Sequence, residues 1–314
     1  MKTNVEQIEY STERCGVLAA ALTGLFLAVA PAGFASVINL GSAANYAVVG
    51  VGGSVAIQSD FEIYQSATVI NGNVAEGPYT ALTHGIDATV NGRWDYDTTD
   101  TLPTLGSGGS VSGGFHQVNL SGVSADAIAA SATAAALPFT ASRSTLSDGD
   151  VINLNPGLNV VRILNSVAIS GGGSTLTING AANSSVVFQL VSSGQGVDLT
   201  LSGTTMILNG IIAGNIVWDL NGFSSQKNDV TISSGATAYG IFLAPQRNII
   251  IDHGNITGEV IGGGENIQPG LSIHSGSTIT GVPVPEPATF IAGALLLFPF
   301  GASTLRILRR KRAA

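Results

Sequence analysis

Cysteine is almost missing from this chain. The single Cys15 stands before the first apolar run, so the stretch beyond it holds no thiol. That excludes disulfides, thiolate nucleophiles and cysteine metal ligands there, and leaves packing and backbone hydrogen bonds to hold the fold. Charge and aromatic rings are also scarce, at 10% and 6% of residues, beside 45% apolar residues and 41 glycines. A chain this apolar can bury a real core, which argues against disorder. Between Ser36 and Pro285 the cations are only Arg93, Arg143, Arg162, Lys227 and Arg247. The acids there are the 20 of the chain less Glu6, Glu9, Glu13 and Glu286, so this stretch carries 5 − 16 = −11. Scattered cations on an acidic body do not neutralise a phosphate backbone, so no nucleic-acid partner is expected. The acidity suits solubility outside a cell.

What is present divides the chain into three: 1–35, 36–282 and 283–314. Val17 to Val29 is an apolar run broken only by Thr23 and Gly24, and Gly33 and Ala35 then satisfy the small-x-small rule of signal peptidase. The expectation is an N-terminal signal helix cut after Ala35. An uncleaved anchor reads from the same run, and both imply export. At the other end Pro285-Glu286-Pro287 precedes an uncharged stretch from Ala288 to Leu305, followed by Arg306 and by Arg309-Arg310-Lys311-Arg312. As a helix that stretch is just long enough to span, with its basic end held on the cytoplasmic side. This order of elements resembles the PEP-CTERM sorting signal, also called the ice-binding protein C-terminal domain. The resemblance implies an exosortase as partner beside signal peptidase. It also implies a membrane-anchored stage before release to the surface or matrix of a Gram-negative bacterium. A plain C-terminal transmembrane anchor is the competing reading.

The body predicts an all-β solenoid with one flanking α-helix. Val167 to Gly172, Val230 to Gly235, Ile249 to Gly254 and Leu271 to Gly276 share one template: aliphatic, small or polar residue, aliphatic, then a glycine stop. A period of about 20 residues fits one coil of a β-helix whose aliphatics bury against the next coil. Asn-Gly pairs at Asn71, Asn91, Asn179, Asn209 and Asn221 each follow an apolar residue. Both residues tolerate positive φ, so the pairs mark sharp strand ends: hairpins in isolation, solenoid corners beside the repeat. From Ser124 to Ala136 glycine is absent and Pro138 closes the run. This predicts a helix capped by Ser124 that lies on the β body through Ile128, Ala132 and Ala135, against a flexible Ala-rich linker as the alternative.

Several segments of the body resemble ice-binding-protein-like adhesion domains. They include Leu40 to Val49, Val69 to Val74, Leu176 to Gly180, Ser184 to Leu190, Asn215 to Trp218 and Gly240 to Pro245. Gly254 to Ile261 looks like the coil that closes such a domain, and the last two segments are shared with surface proteins of the choice-of-anchor A type. The resemblance implies a discontinuous right-handed β-helix with one helix alongside.

Ice binding needs a flat face with hydroxyls and methyls in ranks. Thr175, Thr177, Thr200, Thr204, Thr205, Thr231 and Thr237 are available, but Thr231 is matched by Ile250 and Ser272 in the next templates, so no common register is expected. Asp95, Asp97 and Asp100, and Asp148 with Asp150, bring carboxylates close enough for Ca²⁺ without completing a calcium loop; solvated acidic turns are the simpler reading, and no metal or cofactor is expected. No constellation for catalysis stands out. Asp252-His253 would point to opposite sides of a strand, and His84, His116 and His274 have no neighbouring acid in sequence. The expectation is a non-enzymatic structural or adhesive surface protein that meets extracellular polysaccharide, with ice binding as the alternative and a polysaccharide-active enzyme ranked behind it. Trp94, Tyr96, Tyr64 and Tyr79 are candidates for stacking on sugars or for core packing.

Overall fold

The computed structural model describes residues 37–54, 59–65, 67–82, 86–190, 198–220, 230–264 and 270–282. The expected signal and sorting segments lie outside these residues, and with them Gly33, Ala35, Pro285, Glu286, Pro287, Arg309, Arg310, Lys311 and Arg312. So do the Asn221-Gly222 pair, His84, Lys227 and the expected helix after Ala288. Among the described residues no helix is long and apolar enough to cross a membrane.

Ser36–Val284 forms one compact unit, and its strands pair in parallel throughout the described residues. They stack as three faces of a solenoid. The third face carries the template read from the sequence: Val167–Ser170, Leu199–Ser202, Val230–Ser233, Ile249–Asp252 and Leu271–His274 lie in consecutive register, Val167 on Leu199, Val230, Ile249 and Leu271. The Asn-Gly pairs within the described residues end first-face strands, as at Val69–Asn71, Thr175–Asn179 and Thr205–Asn209. The turns join parallel rungs rather than hairpins.

The stack does not follow chain order. Ala141–Arg143 and Asp150–Asn153 begin it, and the rungs descend to Thr278–Thr280. The amino-terminal rungs then continue the same stack: Thr278–Thr280 pairs with Val69–Asn71, Leu271–His274 with Ser59–Ile63, and Asn255–Gly262 with Val48–Gly50. Asn255–Gly262, expected to close the domain, is therefore an interior rung between Thr237–Ala244 and the amino-terminal strand. Its apolar edge is satisfied by chain from the other end of the sequence, which no local pattern announces.

This winding leaves Val118 at one end of the stack and Ala141 at the other. The helix α1, Ser121–Ala136, makes the return. At about 1.5 Å per residue its length matches about five rungs spaced about 4.8 Å apart. It starts three residues before the expected cap, and Ser124 instead donates its hydroxyl to Val51 O at 2.6 Å. The buried stripe is Val123, Ala127, Ala130, Ser131 and Ala134, while Ile128 is exposed. The expected stripe through Ile128 fails because the helix approaches the sheet closely, and small side chains at helical spacing allow that. Ser131 donates to Asp219 Oδ1 at 2.6 Å, and Gln189 Nε2 donates to Ala134 O and Leu137 O, each at 2.8 Å.

The middle rungs of the second face are buried on both sides, under the helix and over the core, as in Val186-Val187-Phe188, whereas its end strands Phe115–Val118 and Ala141–Arg143 are partly exposed. The other two faces alternate. Inside, Phe188, Trp218 and Phe242 stand in register, with Phe188 and Trp218 stacked at 4.2 Å between centroids. Trp94 and Tyr96 also point inward and are buried, so of the two readings open for them core packing is the one observed.

Candidate binding faces

The outward side of the first face carries two ranks that chain spacing concealed. Parallel register aligns Thr175, Thr205, Thr237, Asn255, Thr278, Val69, Thr89 and Ser110 in one line. Two residues on, Val151, Thr177 and Ile207 form the top of a second line, and Tyr239, Thr257, Thr280 and Asn71 form its lower part. Thr175, Thr205 and Thr237 thus do share a register, contrary to expectation. The template that holds Thr231, Ile250 and Ser272 lies on the third face, whereas these threonines belong to the first. The chain lengths between rungs are irregular, so only pairing reveals the rank. A usable signal was present in the short triplets Thr175-Leu176-Thr177, Asn255-Ile256-Thr257 and Thr278-Ile279-Thr280.

Eight rungs about 4.8 Å apart make a rank about 34 Å long. Neither rank contains an acid or a base. Side-chain amides tie the rungs together: Asn209 donates to Asn179 and Asn179 to Asn153, each at 2.8 Å, and Asn91 donates to Asn71 at 2.8 Å. Their polar ends are largely spent on each other, which stiffens the face. Each threonine offers a methyl and a hydroxyl that both donates and accepts. The arrangement is a rigid, uncharged strip able to order a layer of water or meet a regular hydroxylated surface.

The third face begins in the same way and then changes. Thr200 and Thr231 are neighbours, as are Ser202 and Ser233, but Ile250, Asp252, His274 and Glu62 follow on the next rungs. Here the structure corrects the expectation about Asp252 and His253. The strand ends at Asp252, and His253 adopts φ of +57°, so its ring turns back and Nδ1 meets Asp252 Oδ1 at 2.8 Å. His274 Nδ1 also lies 3.4 Å from Asp252 Oδ1, so this histidine does have an acid neighbour, and its ring stacks on Tyr64 at 5.1 Å. Partial burial pushes the Asp252 carboxyl up, but the hydrogen bonds from Ser275 and His253 and the two imidazole charges together hold it below its ordinary value. Ser275 Oγ meets His274 through the same Nδ1, at 2.9 Å. A relay from hydroxyl to acid needs both ring nitrogens, so this cluster has no triad geometry.

The acidic positions proposed for calcium are engaged elsewhere. Asp95 Oδ2 accepts from Tyr46 Oη at 2.7 Å and Arg93 Nε at 2.9 Å. Asp97 accepts from Leu120 N at 2.6 Å and Thr99 N at 2.9 Å, and Asp100 from Thr80 N at 3.1 Å. Burial raises the Asp100 carboxyl to about 6. Asp148 Oδ1 accepts from Thr175 N at 2.8 Å and Asp150 Oδ2 from Ser147 N at 2.8 Å.

A three-faced parallel solenoid interrupted by one return helix is the class this geometry defines. The family model described as an ice-binding-like adhesive domain matches residues 35–274, and the chain belongs to that family. Three solved structures share the fold. A glycosylated ice-binding protein from an Arctic yeast is 22% identical, with 80% of this chain and 97% of that one covered at a TM-score of 0.52. An ice-binding protein from an Antarctic biological consortium is 22% identical over 77% and 90% of the two chains at 0.51. The ice-binding protein of the Antarctic ascomycete Antarctomyces psychrotrophicus is 20% identical over 78% and 98% at 0.50. No curated protein matches the chain.

Proposed function

We propose that this chain is an exported, non-enzymatic adhesive protein of the cell surface that uses its first face to hold a regular hydroxylated surface such as extracellular polysaccharide. The observation that carries this reading is the uncharged rank running from Thr175 to Ser110 across eight rungs. Desolvating a flat strip without charges is cheap, and a rigid strip loses little entropy on contact. The sorting reading belongs to the same proposal: signal peptidase acts after Ala35, and an exosortase handles the segment from Pro285 to Lys311 and Arg312.

Ice is the second ligand the same strip fits, and it is favoured by the three solved ice-binding proteins that share the fold. One set of variants separates the readings. Lysine in place of Thr205 and Thr237 puts ammonium groups in the middle of the rank. Retention on polysaccharide should fall at least tenfold, while Thr231→Lys on the third face leaves it unchanged. Thermal hysteresis and ice shaping, measured on the unaltered protein, decide for ice if present. Unchanged retention and unchanged ice activity in the double variant would remove the first face from the function.

A further inference from the structure

Where the helix begins, on the outer side of the second face, a cleft of about 290 Å³ lies beside the last rungs. It is remote in character from the first face: its lining includes Tyr46, Arg93, Asp95, His116, Asn119 and Val123. Asp95 is 2% exposed and its Oδ2 holds Arg93 by Nε, the Tyr46 phenol oxygen also accepts from the guanidinium, and the Arg93 side chain is 47% exposed toward the cleft. Burial and the Asp95 carboxylate push the Tyr46 phenol up to about 12, so it stays a neutral donor to Asp95. His116 stands on the next rung in register with Asp95. Its Nε2 lies 2.9 Å from Gly113 O, so that nitrogen carries the proton and Nδ1 is an acceptor in the neutral ring. Asn119 accepts from Ser121 N and Ser121 Oγ through Oδ1, at 3.0 and 2.6 Å, which leaves its amide donors for the cleft.

We propose that this cleft is a second binding site and takes one carboxylated sugar residue of an acidic polysaccharide, a function beyond that of the first face. The volume is near the lower end for small-ligand sites, suited to a single ring. Val123 supplies an apolar wall for the C–H face of a sugar, and His116 and Asn119 supply an acceptor and a donor for its hydroxyls. The guanidinium edge, oriented by Asp95, pairs with the carboxylate in the bidentate manner that arginine favours. On a body of charge −11 the cleft is locally neutral, because Arg93 is matched by the buried Asp95, and the charge it exposes to an acidic polymer is the guanidinium.

The test titrates the full-length chain with trigalacturonate and with the neutral trisaccharide maltotriose, followed by calorimetry. Saturable binding of the uronate, at least tenfold tighter than the neutral sugar, is expected. Arg93→Gln should weaken it at least tenfold, and Thr205→Lys with Thr237→Lys on the first face should leave it unchanged. If Arg93→Gln does not fold, Asn119→Asp serves. It keeps the oxygen that accepts from Ser121, removes the donors and adds a repelling charge, and it should also cost at least tenfold. No saturable binding, equal affinity for the neutral sugar, or full affinity in the variant that folds would overturn the proposal. A first-face variant that loses surface retention yet keeps uronate binding shows the two sites to be separate.

Discussion

Glu259 is 1% exposed, in register with Ile241, and neither carboxyl oxygen has a hydrogen-bond partner among the described residues. Burial alone raises its carboxyl from an ordinary 4.5 to about 9. The folded protein therefore keeps this proton up to about pH 9, while the unfolded chain releases it near 4.5. Between those values the unfolded state binds fewer protons, and stability falls as pH rises by about 1.4 kcal/mol per unit for this group. The loss is about 3 kcal/mol at pH 7 and levels off above pH 9 at about 6 kcal/mol. Glu259→Gln keeps the shape and cannot ionise. The difference between the variant and the unaltered protein should be smallest near pH 4.5 and grow to about 3 kcal/mol in the variant's favour at pH 7. For a body of this size that is a gain of roughly 6–12 °C in melting temperature. Urea unfolding at pH 5, 6, 7 and 8 measures the slope of that difference directly. The slope isolates Glu259 from Glu76 and Asp219, which burial also raises, to about 8 and about 7. A difference independent of pH, or one that shrinks as pH rises, would refute the reasoning.

Two further outcomes follow from the contacts. Ser131→Ala removes the 2.6 Å hydrogen bond that opposes the burial-driven rise of Asp219. The carboxyl should titrate higher still, as read by carbon NMR, and stability near neutral pH should fall by about 1–3 kcal/mol. Gly258 has φ of +150°, and a Cβ there would sit 1.9 Å from Gly240 O on the neighbouring rung. Gly258→Ala should cost on the order of 3 kcal/mol or more, seen as a fall in urea midpoint or as loss of folded protein.

Much of the fold was legible because a parallel solenoid repeats a local pattern. The aliphatic templates on the third face and the Asn-Gly strand ends are dictated by side chains and φ preferences within a few residues, and among the described residues both appear where expected. The helix was legible as an Ala-rich run without glycine, but its buried stripe was not. Side-chain size pointed to Ile128, and the close approach to the sheet selected Val123, Ala127, Ala130 and Ala134. The Thr rank was hidden for a different reason. Thr278 and Val69 are neighbours across the join between the two ends of the body, a relation set by the winding order. The Asp252–His253 contact was misread because a strand was extended one residue too far, into a left-handed position.

By itself the sequence determined the kind of object this is: scarce charge, no thiol in the body and a glycine-stopped aliphatic repeat require stacked parallel rungs filled by their own side chains. Which residues become neighbours between rungs was decided only in three dimensions, because stacking energy depends on the edge presented and not on its place in the chain. The amino-terminal rungs extend the stack beyond the carboxy-terminal ones for that reason, and the first-face rank reaches its full eight rungs only once they have done so.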